Sequence, residues 1–482
     1  MALRARLAAP PSQPGSTWHS LKSTTMRAAE LFSGDRRMEA ENYLSSGHGL
    51  RLAIKSNASG WRNLSEIARS WQPNRLKGIQ VSREFGTPFL AATQVYDVRP
   101  VPRKWLSLDR TEDAKNRFVT PGTILVTRSG SVGRPTLTYD AHIDTIISDD
   151  LLRIEPYERR DRGWIYGFLL TSQSRAMTKG AQYGHIIKHL EPSHLDELPI
   201  PTIDDETANR FNQRAAEILA LRNESYRLTL LAERCFEEAI GPIQISDWGE
   251  SGFEVRMATL STSGRTRLDA SVSNPGAMAI HHHLSRHGLG STRFSEAGYD
   301  IWVPGRYKRV PAEDGVIYRD SADLLEVSPD LAKRFADCAF GDRFRGRVRS
   351  GWILIPCSGQ VYGIIGTATL ATSALEGQVV SNHVLRAAPR PGAVRAGYVV
   401  TALSHPVLGR PLIKALAFGS SVPELNPDDV AAGEIVRLTP QKEAEIADAA
   451  EASAQARASA DLLENEIRLE AETIVSRFIS GA

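Results

Sequence analysis

The sequence predicts an α+β fold in which two repeated mixed α/β domains are separated by two long helices that form an antiparallel coiled coil. Three observations predict it. One set of short motifs occurs twice in the same order, each copy contains short runs of β-branched residues, and each copy ends in a long segment with helical periodicity. The two copies are about 230 residues apart, a period that is too long for a solenoid repeat and is typical of a duplicated domain.

The clearest repeated motif is Gly122-Thr-Ile-Leu-Val-Thr-Arg-Ser-Gly130, which returns 229 positions later as Gly351-Trp-Ile-Leu-Ile-Pro-Cys-Ser-Gly359. The other aligned pairs are Arg37–Ala40 with Arg267–Ala270, Gly86 with Gly315, Phe89 with Tyr318, Ser148–Arg153 with Ser381–Arg386, and Leu190–Pro192 with Leu425–Pro427. Within these motifs the β-branched runs Ile124–Val126 and Ile353–Ile355 stand just before Ser-Gly turns, which predicts buried strands.

A long helix is predicted at the end of each copy. The first begins near Asp204-Asp205-Glu206, because an acidic first turn suits the helix dipole. The second begins near Pro440, since proline is favoured in the first turn. Apolar and small residues recur every three or four positions in both segments, which predicts that the helices pack on each other. The predicted interface residues are Phe211, Ile218, Leu228, Ile446, Leu463, Ile467 and Ile474.

Helices of this length would act as a rigid spacer of about 50 Å. We therefore expect the two domains to lie at opposite ends of the helix pair, related by a pseudo-two-fold axis; the alternative is two ordinary surface helices on one core. The predicted segments are a flexible N-terminal tail over 1–36, a first domain over 37–202, a spacer helix over 203–241, a second domain over 242–438 and a second spacer helix over 439–480.

The composition excludes several classes of protein. Hydrophobic residues make up 41% and charged residues 24%, which is ordinary for a globular chain. No apolar stretch approaches the ~18 residues that a membrane span needs. The net charge of +2 neither demands nor excludes a nucleic-acid partner. The three cysteines are Cys235, Cys338 and Cys357; no pair has C-x-x-C spacing, and the odd count argues against a disulfide framework, which favours a cytoplasmic location.

Motifs of catalysis are missing from the sequence. It contains no phosphate-binding P-loop, no dinucleotide-binding glycine motif after a strand, no G-x-S-x-G and no amino-methyltransferase motif, so we expect no enzymatic activity in this chain. His281–His283 and His287 are a weak metal signal without a matching cysteine or carboxylate, and no metal site is predicted. Asp149-Asp150 reads as a turn at a strand end, because the second copy has Asn382-His383 there.

Basic residues are the more informative feature. Short basic strings precede the aligned glycines Gly86 and Gly315. Arginines also alternate over 343–349, so that in an extended chain they would share one face; the alternative is a solvated edge strand protected by charge. Arg128 and Ser129 stand where a predicted strand becomes a loop. The residues expected to contact DNA are Arg75, Lys77, Arg128, Ser129, Arg306, Tyr307, Lys308, Arg309, Arg343, Arg345 and Arg347.

The motifs and their order resemble the specificity subunit of Type I restriction–modification systems. The resemblance rests on Pro121–Gly133, Ser148–Ile154, Gly184–Pro192, the helix after Leu198–Pro201, and Arg267–Pro275, and it covers about residues 37 to 480. It implies that each domain is a target recognition domain reading one half of a bipartite DNA sequence, and it adds Lys188 to the residues expected to contact DNA. The second copy departs from the pattern, with Pro423 and Glu424 where the first has Lys188 and His189.

The resemblance also implies partners. The helices would set the spacing between the half-sites and dock two methyltransferase subunits, which carry the S-adenosylmethionine site, and motor–nuclease subunits would bring ATP and Mg. No cofactor and no membrane contact are expected for this chain itself. Two alternatives are a specificity factor of another phage-defence system with the same architecture, and a two-headed coiled-coil adaptor that does not bind DNA.

Overall fold

The computed structural model describes residues 23, 25, 40–181, 189–245, 252–257, 270–330, 333–337 and 346–481. The α-helices of these residues are α1 (Ala40–Leu44), α2 (Ser46–Ser56), α3 (Leu64–Ile67), α4 (Arg162–Leu170), α5 (Ser172–Ala181), α6 (Pro192–Asp196), α7 (Asp205–Ile240), α8 (Pro275–His287), α9 (Ala396–Ser404), α10 (Arg410–Ala415), α11 (Pro427–Ala431) and α12 (Pro440–Ser480). None of them combines the length and the apolar character that crossing a membrane requires.

The strands of the same residues are β1 (Trp61–Asn63), β2 (Ala68–Trp71), β3 (Gln80–Val81), β4 (Thr87–Leu90), β5 (Lys104–Leu106), β6 (Ile124–Thr127), β7 (Pro135–Leu137), β8 (Ile146–Ile147), β9 (Leu151–Pro156), β10 (Pro199–Pro201), β11 (Ser291–Arg293), β12 (Tyr299–Trp302), β13 (Pro311–Arg319), β14 (Arg334–Phe335), β15 (Ile353–Pro356), β16 (Thr369–Leu370), β17 (Val379–Val380), β18 (Val384–Pro389) and β19 (Glu434–Val436).

Two units repeat one arrangement of strands. We call the part from α2 to α6 with its strands β1 to β10 the first unit, and the part from α8 to α11 with its strands β11 to β19 the second unit. Their central sheets have the orders β2-β9-β6-β7 and β12-β18-β15-β16, with neighbouring strands antiparallel. Each unit also contains a parallel pair, β4 with β8 and β13 with β17, and a short antiparallel ladder, β1 with β10 and β11 with β19. The predicted duplication and α+β architecture are therefore confirmed.

A buried arginine ties the same turn together in both units. Arg153 on β9 and Arg386 on β18 are fully buried, and each guanidinium donates to three backbone carbonyl groups. The acceptors are Ile147 (2.9 Å), Ser148 (3.0 Å) and Leu151 for Arg153, and Val380 (2.6 Å), Ser381 (2.8 Å) and Val384 for Arg386. Burial lowers the pKa of Arg153 to about 9 and that of Arg386 to about 10. The aligned Ser-x-x-x-Leu-Arg motifs thus encode a buried arginine whose hydrogen bonds join β8 to β9 and β17 to β18.

Close backbone contacts join each unit to the long helix that follows it. A Cβ atom on Gly163 of α4 would lie 2.2 Å from the backbone nitrogen of Asn212 on α7, and one on Gly397 of α9 would lie 2.6 Å from the carbonyl oxygen of Ala447 on α12. Only glycine leaves room for helices to approach so closely. The two glycines are at equivalent positions, so each unit is docked on its own helix in the same way.

The long helices run antiparallel, and each contributes to the cores of both units. Phe211 and Ile218 of α7 pack with Ile467 of α12 in the core of the first unit. Phe236 of α7 and Ile446 of α12 belong to the core of the second unit. The helices have 36 and 41 residues, which corresponds to roughly 54 and 62 Å. The antiparallel pairing is confirmed, and each unit packs at one end of the helix pair.

The predicted interface residues differ in burial. Phe211, Ile218, Ile446 and Ile467 are buried, and Leu228, Leu463 and Ile474 are half-buried. The seam also contains polar residues, which a search for apolar periodicity does not find. Arg222 and Glu464 form an ion pair at 2.7 Å with side chains only 2% and 6% exposed, and the hydroxyl groups of Ser225 and Ser453 lie 3.1 Å apart.

The two units also contact each other directly. The backbone nitrogen of Val98 donates to Leu325 at 2.8 Å, and that of Val327 donates to Tyr96 at 2.7 Å. Between these bonds Asp97 and Glu326 form an antiparallel bridge. Residues 96–98 of the first unit and residues 325–327 of the second unit are 229 positions apart, which is the offset between the two copies. Asp97 and Glu326 are therefore equivalent residues, and the bridge between them lies on the pseudo-two-fold axis. Periodicity carries no signal for so short a contact.

Candidate nucleic-acid interface

Arg128 lies in the loop that follows β6, and its side chain is 18% exposed. Its backbone nitrogen donates to the carbonyl oxygen of Asp150 at 3.0 Å, and its carbonyl oxygen accepts from Leu190 at 2.9 Å. The guanidinium lies 3.9 Å from the carboxylate of Asp150 and 3.8 Å from that of Glu191. Arg128 therefore holds its own loop together, and Ser129 beside it is half-buried.

Cys357 occupies the same place after β15. Its backbone nitrogen donates to His383 at 2.9 Å, and its carbonyl oxygen accepts from Leu425 at 2.8 Å, as in the first unit. The side chains differ: burial raises the pKa of the Cys357 thiol to about 11, which leaves it protonated and unreactive near neutral pH. Next to it, Ser358 Oγ and His383 Nδ1 form a hydrogen bond of 2.9 Å. One backbone frame thus presents different side chains in the two units.

The first basic string, Arg75 to Lys77, lies in the segment between β2 and β3. Arg75 is exposed and forms no ion pair with a described residue. Lys77 is 75% exposed and lies 3.9 Å from Glu112. Between them the backbone nitrogen of Leu76 donates to Oδ1 of Asp149 at 3.3 Å. The string is therefore anchored by its backbone, and its two cationic side chains reach solvent.

The second basic string, Arg306 to Arg309, lies between β12 and β13. Arg306 and Lys308 are exposed and form no ion pair within the described part of the chain. Tyr307 between them donates its hydroxyl proton to the carbonyl oxygen of Val380 at 2.5 Å, and burial raises its pKa to about 12. The tyrosine anchors the string, so the cations on either side are held at a fixed place on the surface.

Both strings touch the same turn of their unit. Arg309 lies 3.4 Å from Oδ1 of Asn382 and 4.9 Å from the ring centre of Tyr318. Asn382 is the aligned counterpart of Asp149, which the first string contacts. The sequence places each string before an aligned glycine, and the structure brings each to the equivalent turn between the parallel strand and the buried arginine.

The arginine-rich segment over 343–349 is less regular than the alternation predicts. Arg343, Arg345 and, in the first unit, Lys188 lie outside the described residues. Arg347 forms an isolated bridge with Val379, and its guanidinium binds Asp337 at 2.6 Å and the carbonyl oxygen of Gly377 at 2.7 Å. The guanidinium of Arg347 is therefore engaged within its own unit.

Sequence reasoning passed over two exposed aromatic side chains. Phe85, between β3 and β4, is 82% exposed, and Tyr362, between β15 and β16, is 69% exposed. A single aromatic residue in a loop leaves no periodic pattern, so the sequence gives little signal for them.

The histidines of α8 have other partners. His281 Nε2 lies 3.1 Å from a carboxylate oxygen of Glu434, and His283 Nε2 lies 2.9 Å from the carbonyl oxygen of Gly241. The rings of His283 and His287 are 4.5 Å apart. In the described part of the chain no group of three or more metal-binding side chains comes together.

The chain is similar to solved Type I specificity subunits. The S subunit of the Type I restriction–modification system from M. genitalium is 14% identical, with a TM-score of 0.30 over 88% of this chain and 97% of that chain. The HsdS subunit from Thermoanaerobacter tengcongensis is 13% identical, with a TM-score of 0.25 over 88% and 96%. A structure from work on the assembly and conformational transition of a Type I system is 13% identical, with a TM-score of 0.28 over 87% and 97%.

No family model and no curated protein matches the chain.

Proposed function

We propose that this chain is the DNA-specificity subunit of a Type I restriction–modification complex. Each unit reads one half of a bipartite DNA target, and the chain directs methyltransferase and motor–nuclease subunits to that target. It has no catalytic site of its own; S-adenosylmethionine, ATP and Mg bind to the partner subunits. The helix pair fixes the distance between the half-sites and docks the two methyltransferase subunits.

The observation that carries this proposal is the pseudo-two-fold arrangement of the two basic strings. The strands of duplex DNA are themselves related by two-fold axes, so a reader with two-fold symmetry meets equivalent stretches of backbone on both half-sites. Arg75 and Lys77 in one unit, and Arg306 and Lys308 in the other, can then bind phosphates and fix the register.

The loops beside the strings support recognition of a different base sequence by each unit. Arg128 and Cys357 occupy one backbone frame with unlike side chains, and the neighbouring turns carry Asp150 and His383. Side chains near a fixed register are the ones that discriminate base edges. A symmetric frame with unlike loops therefore suits a target whose two halves have different sequences.

The proposal is tested by mapping DNA methylation in a host that carries the chain and its partner subunits. Residues 291–436 are replaced by the matching segment of a related chain. The graft begins and ends on β11 and β19, which pair with each other, so both junctions lie on one ladder. We expect one half of the methylated sequence to change while the other half and the spacing stay.

The matched control replaces residues 61–201, whose ends lie on β1 and β10, and it should change the other half alone. A methylation pattern that is the same with and without the chain would contradict the proposal, as would a graft that alters both halves together.

A further inference from the structure

The pseudo-two-fold axis through Asp97 and Glu326 divides the contact between the units into two halves. On one side, which we call the closed half, ion pairs fill the space between the units and the long helices. They are Arg134 with Glu326 at 2.6 Å, Arg175 with Asp330 at 3.1 Å, and Arg222 with Glu464 at 2.7 Å. Each of these three arginines thus has a carboxylate partner.

The other side, the open half, keeps two of these arginines. Arg410 is the counterpart of Arg175. Arg175 donates to the carbonyl oxygen of Ser131 in the loop after β6, and Arg410 donates to that of Gly363 in the loop after the equivalent strand β15. Arg457 is the counterpart of Arg222. Its guanidinium donates to the Thr369 hydroxyl at 3.1 Å, and Arg222 lies 3.5 Å from the aligned Thr136.

The carboxylates that pair with Arg175 and Arg222 have no acidic counterparts in the open half. Val101 is at the position equivalent to Asp330, and Thr229 is at the position equivalent to Glu464. Neither Arg410 nor Arg457 forms an ion pair with a described residue. In these two pairs the cation is kept and its carboxylate partner is replaced, whereas in the third pair the acid is kept as Asp97 and the arginine is replaced by Thr367. Asp461 acts electrostatically on Arg457, and burial raises the pKa of that carboxyl group to about 6.

A cavity of about 480 Å³ occupies the open half, between the two units and both long helices. Arg410 and Arg457 line it, together with the further cations Arg103 and Lys414. No described carboxylate forms an ion pair with any of these four side chains. Burial, and to a smaller extent the nearby charges of Arg410 and Arg103, lower the pKa of Lys414 to about 8.

The acids in the wall of the cavity do not balance this charge. Glu233 is already bound by Arg99 at 2.8 Å. Burial raises the pKa of Asp97 to about 7, so that this carboxyl group is largely protonated below neutral pH. The remaining wall includes apolar side chains such as Val98, Leu325 and Ile364.

We propose that this cavity binds a nucleoside polyphosphate, whose phosphates take the place of the two missing carboxylates. The volume lies within the range of about 300–1,000 Å³ that is typical of small-molecule sites. Guanidinium groups bind phosphate oxygens through paired hydrogen bonds, and the apolar wall accepts the base and ribose. Because the cavity is bounded by both units, a bound molecule would also fix the units relative to each other. This site does not depend on the proposed role in DNA recognition.

The test is calorimetric titration of the full chain with ADP, with adenosine, inorganic pyrophosphate and a short DNA duplex as separate probes. We expect ADP to bind and adenosine to bind at least tenfold more weakly. Arg410→Met and Lys414→Met should each weaken ADP binding about tenfold. Arg286→Met, which removes an exposed cation of α8 outside the cavity, should leave the affinity unchanged.

A second pair of variants restores the missing carboxylates. Val101→Asp and Thr229→Glu should abolish ADP binding and raise the thermal midpoint, because each gives an arginine of the open half the partner that its counterpart has. These variants keep the test valid if the cation variants fail to fold. The proposal is overturned if ADP does not bind the intact chain, if the duplex binds in the cavity and ADP does not, or if ADP binds equally to the intact chain and to Val101→Asp.

Discussion

Arg153 and Arg386 occupy equivalent places in the two units and make the same three hydrogen bonds, whereas Arg128 and Cys357 occupy equivalent places and share only their backbone contacts. The first pair is buried inside the frame of each unit, where removal of the donor would leave carbonyl groups unsatisfied. The second pair lies at the end of the frame, where the backbone makes the shared hydrogen bonds; the Arg128 side chain is 18% exposed, and Cys357 belongs to the core of the second unit. The difference teaches that the duplication kept the side chain that itself makes the frame's hydrogen bonds, and allowed a different side chain where the backbone makes them.

The largest expected effect on stability comes from removing the buried arginine that both units share. Arg153→Met and Arg386→Met should each lower the free energy of unfolding by roughly 3–5 kcal/mol, because three buried carbonyl groups lose their donor. Urea denaturation followed by circular dichroism measures this. The exposed Arg62→Met serves as the control and should change stability by less than about 0.5 kcal/mol. A small decrease in one unit and a large decrease in the other would show that the two arginines are not equivalent.

Much of this frame could be predicted from the sequence, because it depends on local patterns. The strands Ile124–Thr127 and Ile353–Pro356, the starts of both long helices and the order of the repeated motifs all have local signals. The motifs that end in Arg153 and Arg386 were aligned as well, although nothing in them says that the arginine is buried.

Contacts between distant segments could not be predicted in the same way. The Arg222–Glu464 pair interrupts the apolar seam, and a heptad search discards charged residues. The Asp97–Glu326 bridge is a single pair between two loops, which no periodicity can register. Which basic side chains touch DNA depends on loop geometry, so the residues of the two strings stay predictions.

A smaller effect is expected where the two units are proposed to act alike. Arg75→Ala with Lys77→Ala, and Arg306→Ala with Lys308→Ala, should each flatten the dependence of DNA affinity on salt, by about 0.9 in the slope of log K against log salt for every phosphate that is no longer neutralised. The measurement is DNA binding by the chain with its methyltransferase subunits over a range of salt concentrations. Arg159→Ala with Arg160→Ala provides a matched surface control. An unchanged slope for one string alone would mean that only the other unit binds DNA phosphates through its string.

The smallest expected effect separates the two equivalent acids on the pseudo-two-fold axis. Glu326 is bound by Arg134 at 2.6 Å, whereas Asp97 has Thr367 at the position equivalent to that arginine, and burial raises its pKa to about 7. A carboxyl group whose pKa is raised by folding contributes stability below its unfolded pKa, near 3.9, and this contribution disappears as the pH rises through about 7. At pH 8 the folded chain therefore holds a half-buried carboxylate that forms no ion pair with a described arginine.

Asp97→Asn should consequently raise the free energy of unfolding by about 1 kcal/mol at pH 8, with the gain shrinking towards zero near pH 4. Glu326→Gln should have the opposite sign at pH 8, because it leaves the mostly buried guanidinium of Arg134 without its partner. Urea denaturation of the three proteins at pH 4 and pH 8 measures both effects. If the two variants shift stability in the same direction at pH 8, then the acids do not differ in their partners, and the distinction between the closed and open halves of the contact would fail with them.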